Sequence, residues 1–466
     1  MNRRDFLKKC ASVTGGFVLS NRAMESRLGG KRPNIIFIFI DDMGWTGTSF
    51  MGSGYYETPN IDKLAREGMV FRSAYTCGPN CAPTRACLMS GQYTPRHGVY
   101  TVGSSERGQS LLRRLIPIQN TTNLDTAIVT IAEALKPAGY VSTCIGKWHL
   151  GGAKFSPLVQ GFDVSVDSGD FKKDPKDPKN IYSFTDAAIK FIETNKDKPF
   201  FLYLSHHAIH TPVEATDELT AKYQNKPAWH GQNNSKYAAM TEHTDDGVGR
   251  LLAKLDELKL TENTMVIFYS DNGGAGEQTS NYPLRGAKGM LYEGGIRVPM
   301  VIRWPGIVKA GTSCDVPVNS VDFYPTFLEI SDAPRPANQV LDGESIVPLL
   351  QGAKSLKRQA IFWHFPAYLQ GNNPEGARDP YFRTRPAGAI RKGNWKLIQY
   401  FEQLEFGEQP SLPELELYNL ADDIEEQNNL AKTMPEKTEQ LLQELVAWRQ
   451  SLNAPIPNEH NPDYTG

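Results

Sequence analysis

Residues 34–42 read NIIFIFIDD, an apolar run rich in Ile and Phe that stops abruptly at Asp41 and Asp42. A short, uninterrupted run of this kind suits a strand buried on both faces, as in a parallel sheet. The pattern recurs. Residues 264–270 read TMVIFYS and end in Asp271-Asn272, residues 199–204 read PFFLYL and end near His206 and His207, and residues 140–145 read YVSTCI and end in Gly146-Lys147. Residues 299–303, PMVIR, form a fifth run. Helical patterns lie between them, over 60–67, 124–137, 183–194 and 236–259. Strands alternating with helices predict an α/β fold with a mostly parallel central sheet flanked by helices. In such sheets ligands bind at the carboxyl ends of the strands. Four of the five runs end in Asp, Asn, Lys or His, so the fold gathers polar groups on one edge.

Working outward, the segment 341–352 (LDGESIVPLLQG) reads as the end of this unit. Strand-like runs at 359–363, 388–391 and 395–400 come next, then a helical pattern over 435–450. These assign 31–354 to a main domain and 355–466 to a smaller α+β subdomain with a small antiparallel sheet and a helix. The first residues, Arg3-Arg4-Asp5-Phe6-Leu7-Lys8, precede a mildly apolar run too short to span a bilayer. They resemble a twin-arginine export signal over residues 1–30, which implies export machinery as a partner, a periplasmic or secreted location and no stable membrane insertion. Its removal would take the net charge from -2 to -6 and leave five cysteines. A near-neutral chain without a basic field is not a general nucleic-acid binder. Six cysteines in 466 residues make no disulfide scaffold, although a Cys77–Cys87 pair stays open.

Residues 77–91 read CGPNCAPTRACLMSG, and Cys81-Ala82-Pro83-Thr84-Arg85 fits C-x-P-x-R. Five further segments accompany it in order: Asp41-Asp42-Met43-Gly44, Gly146-Lys147-Trp148-His149-Leu150-Gly151, His207-Ala208-Ile209-His210-Thr211-Pro212, Ser270-Asp271-Asn272-Gly273, and Leu284 to Pro299 with Lys288 and the run Glu293-Gly294-Gly295-Ile296-Arg297-Val298-Pro299. Together these resemble the type I, formylglycine-dependent sulfatases of the alkaline phosphatase superfamily, over about residues 34–466. Thr84 stands where the commoner motif has Ser.

The resemblance implies an alkaline-phosphatase-like fold and a Cys81 oxidised to formylglycine by a maturation enzyme. One hydroxyl of the hydrated aldehyde would attack sulfur, and the second would expel sulfate and restore the aldehyde. Asp41, Asp42, Asp271 and Asn272 offer only oxygen ligands, which suit calcium or magnesium rather than zinc. In the family the ion is one calcium, held by these four positions together with the modified Cys81. Adjacent carboxylates after a buried strand repel each other unless a cation sits between them. By the same resemblance Arg85 holds the diol, and Lys147 and Lys288 grip sulfate. His149 takes the proton during sulfate release, and His210 protonates the leaving oxygen with Lys288. Histidine suits proton transfer near neutral pH. His206, His207 and His243 read as structural.

Two long loops offer the means to recognise the sulfated alcohol. Residues 103–123 carry Arg107, Arg113 and Arg114, and residues 365–387 carry Arg378, Arg383 and Arg385 among Tyr368, Tyr381 and Phe382. Arginine among aromatics suits a sulfated or carboxylated sugar. Arg383 and His364 are the substrate-binding candidates. The expected function is an exported sulfatase of a sulfated carbohydrate, such as fragments of algal polysaccharide or a glycosaminoglycan. Two rival readings stand beside it. A phosphate or phosphonate ester hydrolase would normally need a second metal with His ligands. A non-catalytic sulfoglycan binder with unmodified Cys81 would not need His149.

Overall fold

The computed structural model describes residues 31–371, 376–402, 404–406, 409–412 and 414–465. The expected export segment, 1–30, lies outside them. Strand β1 (Asn34–Ile40) is buried along its whole length. Its alternate side chains serve two cores: Ile35, Phe37 and Phe39 face one, and Ile36, Ile38 and Ile40 face the other. This is why the run carries no polar alternation.

Strand β1 is central to an eight-stranded sheet. Its partners are β2 (Met69–Phe71), β4 (Val141–Gly146), β5 (Val164–Val166), β6 (Phe200–Ser205), β7 (Thr264–Ser270), β8 (Met300–Arg303) and β9 (Thr312–Cys314). The short β3 (Ala74–Tyr75) lies apart, paired in parallel with β10 (Val318–Asn319). The order is β5-β4-β6-β1-β7-β8-β2-β9. From β5 to β7 every pairing is parallel. β8 is antiparallel to both β7 and β2, so the fifth apolar run departs from the parallel reading. The helices Pro59–Glu67, Ile181–Asn195 and Ser235–Glu257 cover the face of Ile36 and Ile38. The helices Cys81–Ser90, Ile131–Leu135 and Phe323–Ser331 cover the face of Phe37 and Phe39.

The helix expected over 124–137 is confined to Ile131–Leu135, with a 3-10 turn after it. Thr130 and Glu133 close a capping box that starts it: the Thr130 hydroxyl accepts from Glu133 N (3.3 Å), and the Glu133 carboxylate accepts from Thr130 N (2.8 Å).

The C-terminal unit holds β11 (Ala360–Phe365), β12 (Ala387–Lys392), β13 (Trp395–Tyr400), the hairpin β14 (Leu404–Phe406) and β15 (Gln409–Leu412), and β16 (Leu415–Asn419). β11, β12, β13 and β16 form an antiparallel sheet in that order. One face, with Trp363, Ala389 and Ile398, packs on Tyr75, Met290, Leu291 and Tyr292 of the main unit. The other, with Ile390 and Leu397, lies under Leu441 and Leu445 of the helix Pro435–Ser451. Among the described residues no helix is long and apolar enough to cross a membrane.

Candidate active site

Four neighbouring strands, β4, β6, β1 and β7, run parallel, so their carboxyl ends share one edge. The ladder continues past the strands and fixes the residues just beyond their ends. Lys147 N donates to Ser205 O (2.8 Å), His206 N to Phe39 O (2.9 Å), Asp41 N to Ala208 O (2.9 Å) and Asp271 N to Ile40 O (3.1 Å). Gly146 precedes Lys147 with φ 95°, and a Cβ there would sit 2.0 Å from Ser205 O, so only glycine passes. Asp42 and His149 adopt φ 66° and 63°. Left-handed backbone in non-glycine residues costs of order 1–3 kcal/mol and clusters at functional sites.

Cys81 opens the fully buried helix Cys81–Ser90. Thr84 donates its hydroxyl to Gly78 O (3.1 Å) and Asn80 O (3.2 Å), fastening the loop that leads into the helix. Arg85, one turn after Cys81, lies on the same face. Its Nε and Nη2 donate to Asp271 Oδ2 (3.1 and 2.7 Å). Its Nη1 donates to Lys147 O (2.9 Å), Tyr203 Oη (3.3 Å) and Ser205 Oγ. Lys147 Nζ donates to Asp41 Oδ2 (2.5 Å), and Lys288 Nζ to Asp42 Oδ2 (2.8 Å). Asn272 Nδ2 donates to Asp42 Oδ1 (2.8 Å). His210 Nε2 stands 3.7 Å from Asp42 Oδ2, while its Nδ1 contacts Thr211 O (2.6 Å).

Three carboxylates therefore face three cations in a buried space. Burial works to raise Asp41, but Lys147, Arg85 and Lys288 hold it well below the usual carboxylate range. Burial and then Asp41 push Asp271 up to about 7, against Arg85. Burial raises the Cys81 thiol despite Lys147 and Lys288. A protonated thiol is a poor nucleophile, so Cys81 is not activated as a thiolate. Burial, then Lys147 and Arg85, pull His149 down to about 3, which leaves a neutral imidazole.

Asp41 Oδ1 and Asn272 Oδ1 are buried without a hydrogen-bond partner. Buried acceptors are rarely left so. Ligand atoms of Asp41, Asp271 and Cys81 lie within 4.8 Å of one another, and the same holds for Asp41, Asp42 and His210. Oxygen donors dominate, so the chemistry of the set fits a hard divalent cation.

The structure brings Asp41, Asp42, Cys81, Arg85, Lys147, His149, His210, Asp271, Asn272 and Lys288 to one edge. Arg383 joins their rim, its Nη1 donating to Lys288 O (3.1 Å). His364 does not reach it. It lies on β11, buried against Tyr100 and Phe401, and its Nε2 contacts Pro455 O (2.9 Å). It alternates along β11 with Trp363 and Phe365, which face the main unit, so its ring turns to the opposite face, towards Pro455 and Arg449. Arg378 and Arg385 are also committed internally, to Glu416 (3.3 Å) and to Asp379 and Glu402 (2.6 Å to the latter). His207, read as structural, feels the site: burial draws it down to about 4, and Asp41, Lys147 and Arg85 act on it. Its place just past β6 was the available signal. Lys179 shares the field of Asp41 and Lys147, and no motif pointed to it. All described cysteines are free thiols, Cys77 and Cys87 included.

Residues 33–333 match the family model described as Sulfatase, and residues 286–451 match the one described as N-sulphoglucosamine sulphohydrolase, C-terminal. The chain is 32% identical to a sulfatase of Formosa agariphila, across 91% of this chain and 90% of the relative. It is 32% identical to the N-acetylgalactosamine-6-sulfatase of Homo sapiens, across 71% of this chain and 68% of that one. The crystal structure of Ps i-CgsB in complex with k-i-k-neocarrahexaose superposes with a TM-score of 0.73 at 29% identity, covering 92% of this chain and 95% of the other.

Proposed function

We propose, since the chain belongs to the sulfatase family of the alkaline phosphatase superfamily and is a sulfuric ester hydrolase, that it cleaves sulfate esters of a sulfated carbohydrate with Cys81 as the modified nucleophile. The observation that carries this is the convergence on Cys81 of an all-oxygen ligand set, two lysines and two histidines at the ends of β4, β6, β1 and β7. A binding protein gains nothing from a neutral buried imidazole and orphaned carboxylate and amide oxygens beside a cysteine.

Asp41, Asp42, Asp271 and Asn272, with the modified Cys81, would hold one calcium ion, which supplies positive charge to acidify a hydroxyl and to balance sulfate. Formylglycine at Cys81 would supply one hydroxyl to attack sulfur and a second through which sulfate departs. Arg85 works against the burial that raises Asp271, and it aims the carboxylate by pairing with it through two N–H groups. Lys147 and Lys288, held at the floor by Asp41 and Asp42, present ammonium groups to sulfate oxygens. His149 is neutral and accepts the proton of the hydroxyl that releases sulfate. Thr211 O takes the Nδ1 hydrogen of His210, which leaves Nε2 facing Asp42 and the site. In the doubly protonated ring, Nε2–H would be the group that hands a proton to the leaving oxygen, returning His210 to the neutral form.

The carbohydrate substrate is supported by relatives whose names specify N-acetylgalactosamine 6-sulfate and by a neighbour solved with a neocarrahexaose. The paired Arg3-Arg4 and the Phe6-Leu7-Lys8 after them support export to the periplasm or beyond, and the cysteine motif implies a formylglycine-generating enzyme. The test is mass spectrometry of the tryptic peptide 73–85 from protein made with that enzyme, followed by hydrolysis of sulfated sugars. An aldehyde at Cys81 with sulfate release is expected. A thiol that persists, in a host that converts other sulfatases, overturns the reading.

A further inference from the structure

Two arginines stand together at the rim of this site, and each is fastened to a different flank of the Cys81 loop. Asn80, immediately before Cys81, donates to Thr101 Oγ1 (2.9 Å), at the root of the loop that carries Arg107. On the other flank Gly289 N donates to Pro79 O (2.7 Å), and Arg383 donates to the carbonyl of Lys288. The two flanks then meet. Tyr368 N donates to Ser105 O (3.0 Å), and Glu106 bridges to Tyr368. Gly108, with φ 87°, lies so close to Phe382 that a Cβ would come within 2.5 Å of its ring. Residues 106 and 108 are thus docked on residues 368 and 382, which puts Arg107 beside Arg383.

The arginines of these loops divide by their partners. Arg113 is spent on Glu106 O (2.9 Å) and Gly108 O (2.7 Å), Arg378 on Glu416, and Arg385 on Asp379 and Glu402. Arg383 pairs with Glu277, yet its buried Nε has no acceptor. Among the described residues no carboxylate pairs with Arg107, whose Nη2 donates to Val102 O (2.8 Å). Burial and the neighbouring Arg383 both work against its charge. Two guanidinium groups with one carboxylate between them carry a surplus positive charge next to the nucleophile. Lys147 and Lys288 already serve the sulfate that is cleaved.

We propose that Arg107 and Arg383 form a second anion site beside the sulfate pocket, and that the substrate is therefore a sugar bearing a further sulfate or carboxylate near the ester that is cleaved. This rests on the sulfatase reading of Cys81, but it concerns binding and is testable without turnover. A guanidinium meets either anion through two parallel N–H bonds. Such a charged contact is worth about tenfold or more in affinity.

The experiment is calorimetric titration of the full-length Cys81→Ser protein with three probes: N-acetylgalactosamine 6-sulfate, the same sugar joined to a uronate, and N-acetylgalactosamine 4,6-disulfate. The expected result is that one or both of the doubly charged probes bind at least tenfold more tightly than the singly charged one. The arm that gains identifies carboxylate or sulfate as the second anion. Adding Arg107→Ala should erase that preference, and Arg107→Lys should restore part of it. Equal affinity for all three probes, or a preference that survives Arg107→Ala, overturns the proposal even where the converted enzyme hydrolyses them. Conversely, a preference that depends on Arg107 upholds the anion site even if the converted enzyme releases no sulfate, and only the hydrolase reading then falls.

Discussion

Replacing Arg85 with Met tests the electrostatic frame of the site directly. The guanidinium and the Asp271 carboxylate are both fully buried, and the pair is made through two bonds to one oxygen. Met fills the space of the stem, so the change removes charge and donors with little cavity. It leaves Asp271 without its nearest cation, and strips donors from Lys147 O, Tyr203 Oη and Ser205 Oγ. Breaking a buried pair from one side costs about 3–5 kcal/mol, most of it the charge left behind. Against a total stability of about 5–15 kcal/mol, the variant still folds with a large deficit. The assay is urea unfolding monitored by tryptophan fluorescence, with chelator present so that no bound cation contributes. Adding Asp271→Asn removes the stranded charge, so Arg85→Met/Asp271→Asn should be about 1–3 kcal/mol more stable than Arg85→Met alone. A loss below about 1 kcal/mol for Arg85→Met refutes the reasoning. So does a double variant whose deficit is the sum of the two single ones.

The site, the buried histidines and the sequence before residue 31 set three other outcomes. Metal analysis of protein purified without chelator should find one calcium per chain, and Asn272→Leu, which deletes the orphaned Oδ1, should weaken calcium binding by about tenfold or more; unchanged affinity would remove Asn272 from the ligand set. Burial draws His97, His206 and His364 down to about 3, below the unfolded value of about 6.5. Their neutral forms fold, so stability is full above pH 6.5 and falls as pH drops towards 3, by about 2 kcal/mol per histidine between 6.5 and 5. Urea curves at pH 7.5 and 5 should show a smaller drop for His364→Gln, which keeps a donor for Pro455 O; an identical drop contradicts the assignment. Exchanging Arg3 and Arg4 for Lys should hold the precursor in the cytoplasm, as read by cell fractionation, and undiminished export would dismiss the twin-arginine reading.

The central sheet was legible because burial on both faces leaves a mark that few other structures leave. NIIFIFI gives three side chains to each core, and its end at Asp41 is where the burial of strand side chains gives way to the site. The direction of β8 was not legible, since a run buried on both faces looks the same parallel or antiparallel. The helix start at Ile131 was written in Thr130 and Glu133, but the apolar residues before it masked the signal. His364 and Arg383 show the limit at the rim. Both sit in aromatic, polar stretches; the register of β11 turns the one ring towards Pro455, and the pairing of Arg383 N with Leu369 O lets the other side chain reach Lys288 O. Loop arginines cannot be told apart by sequence, because what separates Arg107 from Arg385 is whether a distant Glu402 arrives beside it.

The small sheet is more than an appendage to this chemistry. Lys396 on β13 is fully buried, with its Nζ 2.9 Å from both Glu293 Oε1 and Glu426 Oε1. Glu426 also accepts from Glu293 N (2.7 Å), at the start of the short helix Glu293–Ile296, and offers its carbonyl to Arg285 Nη1 (2.9 Å). Taking three charged groups out of water is expensive, so stability is a poor account of this cluster. What the contacts do is fix both ends of the stretch from Arg285 to Glu293. Just past Glu293, Gly294 N closes back on Arg285 O (2.8 Å), and within the stretch Lys288 N is tied to Gly274 O (3.0 Å), two residues beyond Asn272. Lys288 belongs to the main unit by sequence, but its position is set from across the boundary. An ammonium proposed to grip sulfate from a loop must be held to a fraction of an ångström by its supports. Here those supports are a buried lysine and a glutamate from the C-terminal unit, which makes the two units one enzyme.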